Sequence, residues 1–297
     1  MSSTPVLFCA DPLNPRAVDG HFAPEARQVR ASGGTVALID HDALLAGDAE
    51  RAVARVPRGL GAAWYRGWMI PTDGYAALDL ALAARDARLL VPPEHYRAAH
   101  QLPGWYGTFA AVTPASGWLP TAPGVVPEAA ELARVARALP AGPGIVKDYV
   151  KSRKHEWDEA CFVPELTDVA GLRRVVARLV ELQEEFLAGG VVVRAFERFV
   201  GEEARVWWLD GEPRLLTPHP DSDAHAMVTP DLDQLRGPVR DLGVRFVTTD
   251  VARRDDGVWR VVEVGDAQVS DLHRATAPEE FAALLTDAPP STSGNEA

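Results

Sequence analysis

An α/β fold that passes into α+β in its second half is what this 297-residue sequence predicts. Short apolar runs alternate with amphipathic stretches through the first third of the chain, the pattern of a mainly parallel sheet covered by helices on both faces. Beyond residue 190 strand-like runs crowd together, and one pair is joined by an Asp-Gly turn, which signals antiparallel hairpins. A stretch rich in Pro, Gly and aromatics, residues 102–127, separates the two regimes. The chain therefore divides into an N-terminal α/β unit (1–120), a second unit (121–288) and a polar tail (289–297) expected to be disordered.

Val6-Leu-Phe-Cys-Ala10 reads as a buried strand because its apolar run is short and ends in a Pro/Asn/Asp turn. A helix over 23–31 stops at Ser32-Gly-Gly34. Strands follow at 35–39 and 61–65, then a helix over 73–84 and a strand at 88–91. The second unit opens with a helix over 127–139, closed by Pro140-Ala-Gly-Pro-Gly144. A lysine-bearing strand comes next, with 159–163 as its expected antiparallel partner. The strongest helical periodicity, Leu172, Val175, Val176, Leu179, Leu182 and Phe186, marks a helix over 168–187. Strands at 191–196, 203–209 and 213–217 precede a short helix over 231–241. Two strands, 245–252 and 258–264, and a helix over 278–285 complete the fold.

A net charge of −12 opposes nonspecific binding to nucleic acid or an anionic membrane. The two cysteines, Cys9 and Cys161, form neither a disulfide framework nor a zinc ligand set and are expected to be buried thiols. No signal peptide is visible, and no apolar run approaches the ~20 residues that span a bilayer. The expectation is a cytoplasmic protein.

All three lysines fall in one segment, Gly144-Ile-Val-Lys-Asp-Tyr-Val-Lys-Ser-Arg-Lys-His155, while the other 27 strong bases are arginine. Compact ammonium groups suit triphosphate oxygens. On a regular strand Lys147, Tyr149 and Lys151 share a face, with the two ammonium groups about 13 Å apart along one polyanion. An acidic pair complements them. Counting outward from the Asp256-Gly257 turn sets Asp250 and Glu263 nearly opposite each other, where two carboxylates repel unless a cation lies between. Few carboxylates, water and phosphate oxygens are how Mg²⁺ is held. Asp266 and Gln268 follow closely and offer further oxygens. Between the clusters, Arg194-Ala-Phe-Glu197-Arg-Phe-Val-Gly201-Glu-Glu203-Ala-Arg205 reads as a strand that stops at a glycine turn and restarts, a hinge whose backbone can bond a flat heterocycle. Arg205 begins the next strand. In the first unit, Arg66 sits among Trp64, Tyr65 and Trp68 at a strand's end, a place suited to carboxylate or phosphate capture.

The order of these parts resembles the ATP-grasp superfamily of ATP-dependent carboxylate-amine ligases. Lys147-Asp-Tyr-Val-Lys151-Ser-x-Lys-His-x-Trp157 together with Tyr65-Arg-Gly-Trp68 resembles its clade named for an arginine and two lysines, and the likeness covers residues 5–285. The resemblance implies a pre-ATP-grasp domain followed by a two-lobed ATP-grasp domain, with ATP and Mg²⁺ as cofactors. It implies that Lys147 and Lys151 contact phosphates and that Glu197 to Val200, with Phe199 between, form the adenine hinge. Glu203 is implied near the nucleoside and Arg205 at the phosphates. Asp250 and Glu263 are the implied metal ligands. Arg66, Lys151 and Arg205 become the catalytic set. Two departures stand out: Ser152-Arg-Lys-His-Glu-Trp157 lacks the usual glycines, and Gly265 stands where the metal motif has Asn, so Asp266 or Gln268 would substitute.

The implied reaction joins a small-molecule or peptide carboxylate to an amine, or a thiol, through an acyl-phosphate. Three rivals remain at this level: a nucleotidyltransferase on a degenerate lysine motif, a non-catalytic nucleotide-binding protein, and a small-molecule kinase.

Overall fold

The computed structural model describes residues 4–223 and 228–286. The tail expected over 289–297 lies outside the described residues. Among the described residues, three four-stranded sheets follow one another along the chain, and no helix is long and apolar enough to cross a membrane.

The first sheet contains β1 (Val6–Cys9), β2 (Val36–Ile39), β3 (Gly61–Arg66) and β4 (Ala87–Leu89), parallel in the order β2-β1-β3-β4. Helices Ala23–Ala31 and Thr72–Ala83 accompany it, both close to their predicted bounds. Two short helices, His41–Leu45 and Ala49–Ala52, escaped prediction because each is barely a turn long and held by an Asp cap, Asp40 and Asp48.

The second sheet contains β5 (Ser116–Pro120), β6 (Gly144–Asp148), β7 (Phe162–Val163) and β8 (Gly190–Ala195), antiparallel in the order β5-β8-β6-β7. Helices Ala129–Arg137 and Val169–Gln183 cover it and close a core of Leu132, Val146, Val163, Leu172, Val176 and Val191. The third contains β9 (Phe199–Leu209), β10 (Glu212–Pro218), β11 (Phe246–Arg254) and β12 (Trp259–Asp266), antiparallel in the order β10-β9-β11-β12. Its buried face joins the first sheet in one core. Trp207 packs edge-on to Phe281 at 5.0 Å, Trp64 lies 5.4 Å from Phe246, and the Trp64 indole donates to the Leu285 carbonyl at 3.1 Å. Truncating any of these rings costs about 3–5 kcal/mol.

Four expectations are corrected. The supposed connector 102–127 holds a helix, Leu102–Phe109, and strand β5, which joins the second sheet; an interrupted pattern of Pro and Gly hid both. Lys151 does not share a strand face with Lys147. β6 ends at Asp148, whose Oδ1 accepts from the backbone N–H of Val150 (2.6 Å) and Lys151 (2.5 Å), turning the chain. Residues 157–161 are a wide helical turn, so only Phe162–Val163 pairs with β6, and β8 is its principal partner. Finally, β9 does not stop at Gly201. It runs on through a bulge there: Val251 pairs with Ala204 but Arg253 pairs with Val200, and Gly201 adopts φ +78°, which glycine tolerates.

Candidate active site

One transverse row of the third sheet carries the chemistry. Thr217 on β10 pairs with Arg205 on β9, Arg205 with Asp250 on β11, and Asp250 with Glu263 on β12. The predicted opposition of Asp250 and Glu263 is thus present. The tight turn at Asp256-Gly257, with Gly257 at φ +91°, starts the register, and a bulge beside Val261 brings the two carboxylates level.

Each carboxylate has its own protein cation. Arg205 donates Nε and Nη2 to the two oxygens of Asp250, at 2.7 and 2.8 Å, a planar fork on a planar acceptor. Lys147, arriving from β6 of the other sheet, donates to Glu263 Oε1 at 2.9 Å. Burial opposes ionisation of Glu263, but Lys147, with Lys151 and Arg205 beyond it, prevails and holds the carboxyl down at about 2. Burial likewise works against charge on Arg205, and Asp250 more than compensates.

Glu203 and His219 complete this wall. The backbone N–H of His219 donates to the Glu203 carbonyl at 3.0 Å. The Asp221 N–H donates to His219 Nδ1 at 3.2 Å, so a neutral ring keeps its proton on Nε2, 3.6 Å from Asp250 Oδ2. Glu203, His219 and Asp250 each offer an atom within 4.8 Å of the others. With Nε2 protonated the ring is a donor, which leaves Glu203 and Asp250 as hard oxygen ligands. Burial, then the charges of Asp250 and Glu263, push the Glu203 carboxyl up to about 8. Glu203, with no ion pair of its own among the described residues, lies beside Asp250 and Glu263, an oxygen donor set that a divalent cation fits.

A cavity of about 360 Å³ opens in front of this row. Lys151, Lys154 and His155 face it from the lysine segment, Arg205, Asp250, Glu263 and Asp266 from the third sheet, and Met69 and His100 from the N-terminal unit. Burial, then Lys151, lower His100 to about 4, so it is a neutral ring stacked 4.9 Å from Tyr96. Lys154 pairs across the mouth with Asp221. A buried arginine ties the two sheets together around the cavity. Arg194 of β8 donates to Thr113 Oγ1 at 2.6 Å, and Thr113 in turn donates to the Val261 carbonyl at 2.7 Å.

Four predicted residues are not brought here. Arg66 is wholly buried, doubly bonded to Glu25 (2.6 and 2.8 Å) and stacked 4.5 Å from the Phe281 ring. Its Nη1 donates to the carbonyls of Gln268 and Ser270, so all three guanidinium nitrogens are engaged within the protein and Arg66 does not line the cavity. Glu197 is occupied by Arg260 at 2.8 and 2.9 Å. Phe199 and Val200 lie on β9 before the bulge and do not line the cavity. Sequence reading missed His100, His219, Thr248 and Ser270, whose isolated occurrence in the chain carries no spacing signal.

A sequence model of the ATP-grasp domain, family 3 of the clade named for an arginine and two lysines, matches residues 110–285. No curated protein matches the chain. Among solved structures, the D-cycloserine synthetase DcsG is similar over 95% of this chain and 99% of its own, at 17% identity and a TM-score of 0.59. A RimK domain ATP-grasp protein from Sphaerobacter thermophilus aligns over 95% and 99%, at 14% and 0.57. The ATP-grasp ligase PsnB, in complex with minimal precursor, Mg and ADP, aligns over 95% and 96%, at 14% and 0.55.

Proposed function

The chain belongs to the arginine-and-two-lysine clade of ATP-grasp domains, family 3, and on that premise we propose that it is an ATP- and Mg²⁺-dependent ligase joining a carboxylate to an amine through an acyl-phosphate. One observation carries the reading: Lys147 and Arg205, from separate sheets, meet Glu263 and Asp250 across a single cavity that Lys151 also enters. Cations suited to phosphate oxygens and carboxylates suited to a metal share one space.

In this reading Asp250, Glu263 and Glu203 would hold Mg²⁺, which would supply neutralisation of phosphate charge. Lys147 exchanges part of its hold on Glu263 for a phosphate oxygen, and Lys151 takes another. Arg205, clamped on Asp250, turns its remaining reach to the phosphoryl group in transfer. The acid attacks the γ-phosphate and ADP leaves. The nucleophile then displaces phosphate. Positioning and charge account for the rate, with no covalent enzyme intermediate. Phe199 and Val200, which the resemblance assigns to adenine, lie on β9 outside the cavity lining. PsnB is solved with a peptide precursor and DcsG is a D-cycloserine synthetase; an amino-acid or peptide carboxylate is the corresponding choice here.

The test is product analysis with ATP, Mg²⁺ and a panel of amino acids and short peptides. ADP and phosphate formed together with an amide support the reading. AMP release, or a phosphorylated acid that accumulates with no amide, contradicts it.

A further inference from the structure

Among the described residues, Asp266 is a carboxylate of this cavity with no cation beside it. Its side chain is 0% exposed. Oδ1 accepts from the backbone N–H of Gln268 at 2.9 Å and from its Nε2 at 3.2 Å, while Oδ2 has no hydrogen-bond partner among the described residues. Glu263 and Asp250 differ: Glu263 has Lys147 and Asp250 has Arg205. Gln268 is itself fixed, accepting from the Tyr65 N–H at 3.0 Å and donating to the Tyr75 hydroxyl at 2.9 Å. The carboxylate is therefore held rigidly, with one oxygen left over, at a wall of the cavity. A buried anion with an open lone pair is retained only if it is neutralised or receives a cationic partner. Burial raises its carboxyl to about 7, consistent with a group that lacks such a partner at rest.

Two cations could fill the place, a metal or an ammonium group. The surroundings separate them. Asp266 is tied through Gln268 to β3 and to Tyr75 of the N-terminal unit, whereas the lysines that suit phosphates enter from the lysine segment. The cavity lining also includes Met69, Val269, Thr248 and Ser270, apolar groups and hydroxyls that suit an organic substrate, and Ser270 Oγ donates to the Asp266 carbonyl at 2.9 Å. Thr248 and Ser270 hydroxyls lie 2.9 Å apart, close enough to present a donor or acceptor together.

We propose that Asp266 is the receptor for the protonated primary amine of the second substrate, binding R–NH₃⁺ through Oδ2 before the amine attacks. The proposal rests on the ligase reading above. The step balances: R–NH₃⁺ gives one proton to the carboxylate of Asp266, and the freed amine forms the C–N bond to the acyl carbon. The C–O bond to phosphate breaks, the nitrogen's second proton leaves with the phosphate as HPO₄²⁻, and Asp266 returns its proton to water.

The experiment measures binding to the intact protein saturated with ADP and Mg²⁺. The probes are the twenty proteinogenic amino acids and their N-acetyl forms, followed by saturation-transfer NMR and titration. At least one free amine is expected to bind at least tenfold more tightly than its N-acetyl form, a comparison that needs no variant. Asp266→Asn is expected to lose that tenfold preference while its affinity for ADP with Mg²⁺ stays within twofold. Equal binding of free and acetylated forms, no binding of any free amine, or unchanged amine binding in Asp266→Asn each overturns the proposal. A matched fall in Mg²⁺-dependent ADP affinity in Asp266→Asn assigns the residue to the metal instead and also overturns it. Absence of ADP binding to the wild-type protein is the separate signature that the ligase reading itself has failed.

Discussion

Lys147 Nζ and Glu263 Oε1 lie 2.9 Å apart although 116 residues of chain separate them. Lys147 belongs to the second sheet and Glu263 to the third, so this contact exists only when both are seated against each other. It joins a group suited to phosphate with a group suited to metal, and Glu263 keeps 40% of its side chain open on the cavity side.

Replacing Lys147 by Ala removes the cation that holds Glu263 ionised and, in the proposed reading, a phosphate contact. Turnover of ATP is expected to fall by about 100-fold or more, the scale of losing a preorganised charge from a transition state. Lys154→Ala, which removes only a half-exposed partner of Asp221, is expected to fall by less. Steady-state ADP release measures both, and equal losses in the two variants contradict the assignment.

Arg205→Lys keeps the charge but not the fork that grips both oxygens of Asp250. A conservative exchange is expected to behave as a severe one, with kcat down by about 10-fold or more. Kinetics alongside a thermal melt separate this from unfolding. Wild-type kcat in Arg205→Lys excludes the geometric role.

Arg66 is assigned to stability. Its removal leaves Glu25 buried with no partner, a change expected to destabilise the fold by about 3–5 kcal/mol. Arg66→Met should lower the urea midpoint, while kcat per folded molecule stays within a few-fold. A selective loss of kcat with an unchanged midpoint would return Arg66 to the catalytic set.

Two carboxyls give opposite pH signatures. Glu203 is raised from 4.5 to about 8, so the native state holds its proton more tightly than the unfolded chain, and stability of the ligand-free protein declines as pH climbs from about 4.5 to about 8. Glu263 is lowered from 4.5 to about 2, so its contribution is present above about 4.5 and is lost as pH falls toward about 2. Water access to Glu263 keeps the second effect small. Denaturant midpoints across pH check both: Glu203→Gln should flatten the alkaline decline, and Glu263→Gln the acid one. An unchanged slope in Glu203→Gln removes it from the acidic crowd.

The parts of the site that announced themselves in the chain are those with spacing. Lysines confined to one segment and an Asp-Gly hairpin that sets Asp250 against Glu263 need only local counting, and both lead to the cavity. Residues whose role depends on distant packing were misread or unseen. Arg66 looked like a ligand residue because Glu25 and Phe281, which enclose it, are remote in sequence. The glycine at 201 signalled a break, yet strand pairing on both sides carried β9 through it as a bulge. Lys151 left the strand because the Asp148 side chain caps the turn, a short-range hydrogen bond that alternation of residue types does not reveal.

In the proposed reading the cations and carboxylates of this row form one nucleotide–metal site. Calorimetric titration of ADP with and without Mg²⁺, on the wild-type protein, Lys147→Ala and Glu263→Gln, tests it most directly. Binding that requires Mg²⁺ in the wild type and weakens at least tenfold in both variants is the predicted result. ADP affinity that ignores Mg²⁺ and is untouched by either substitution would place the nucleotide elsewhere and contradict the account.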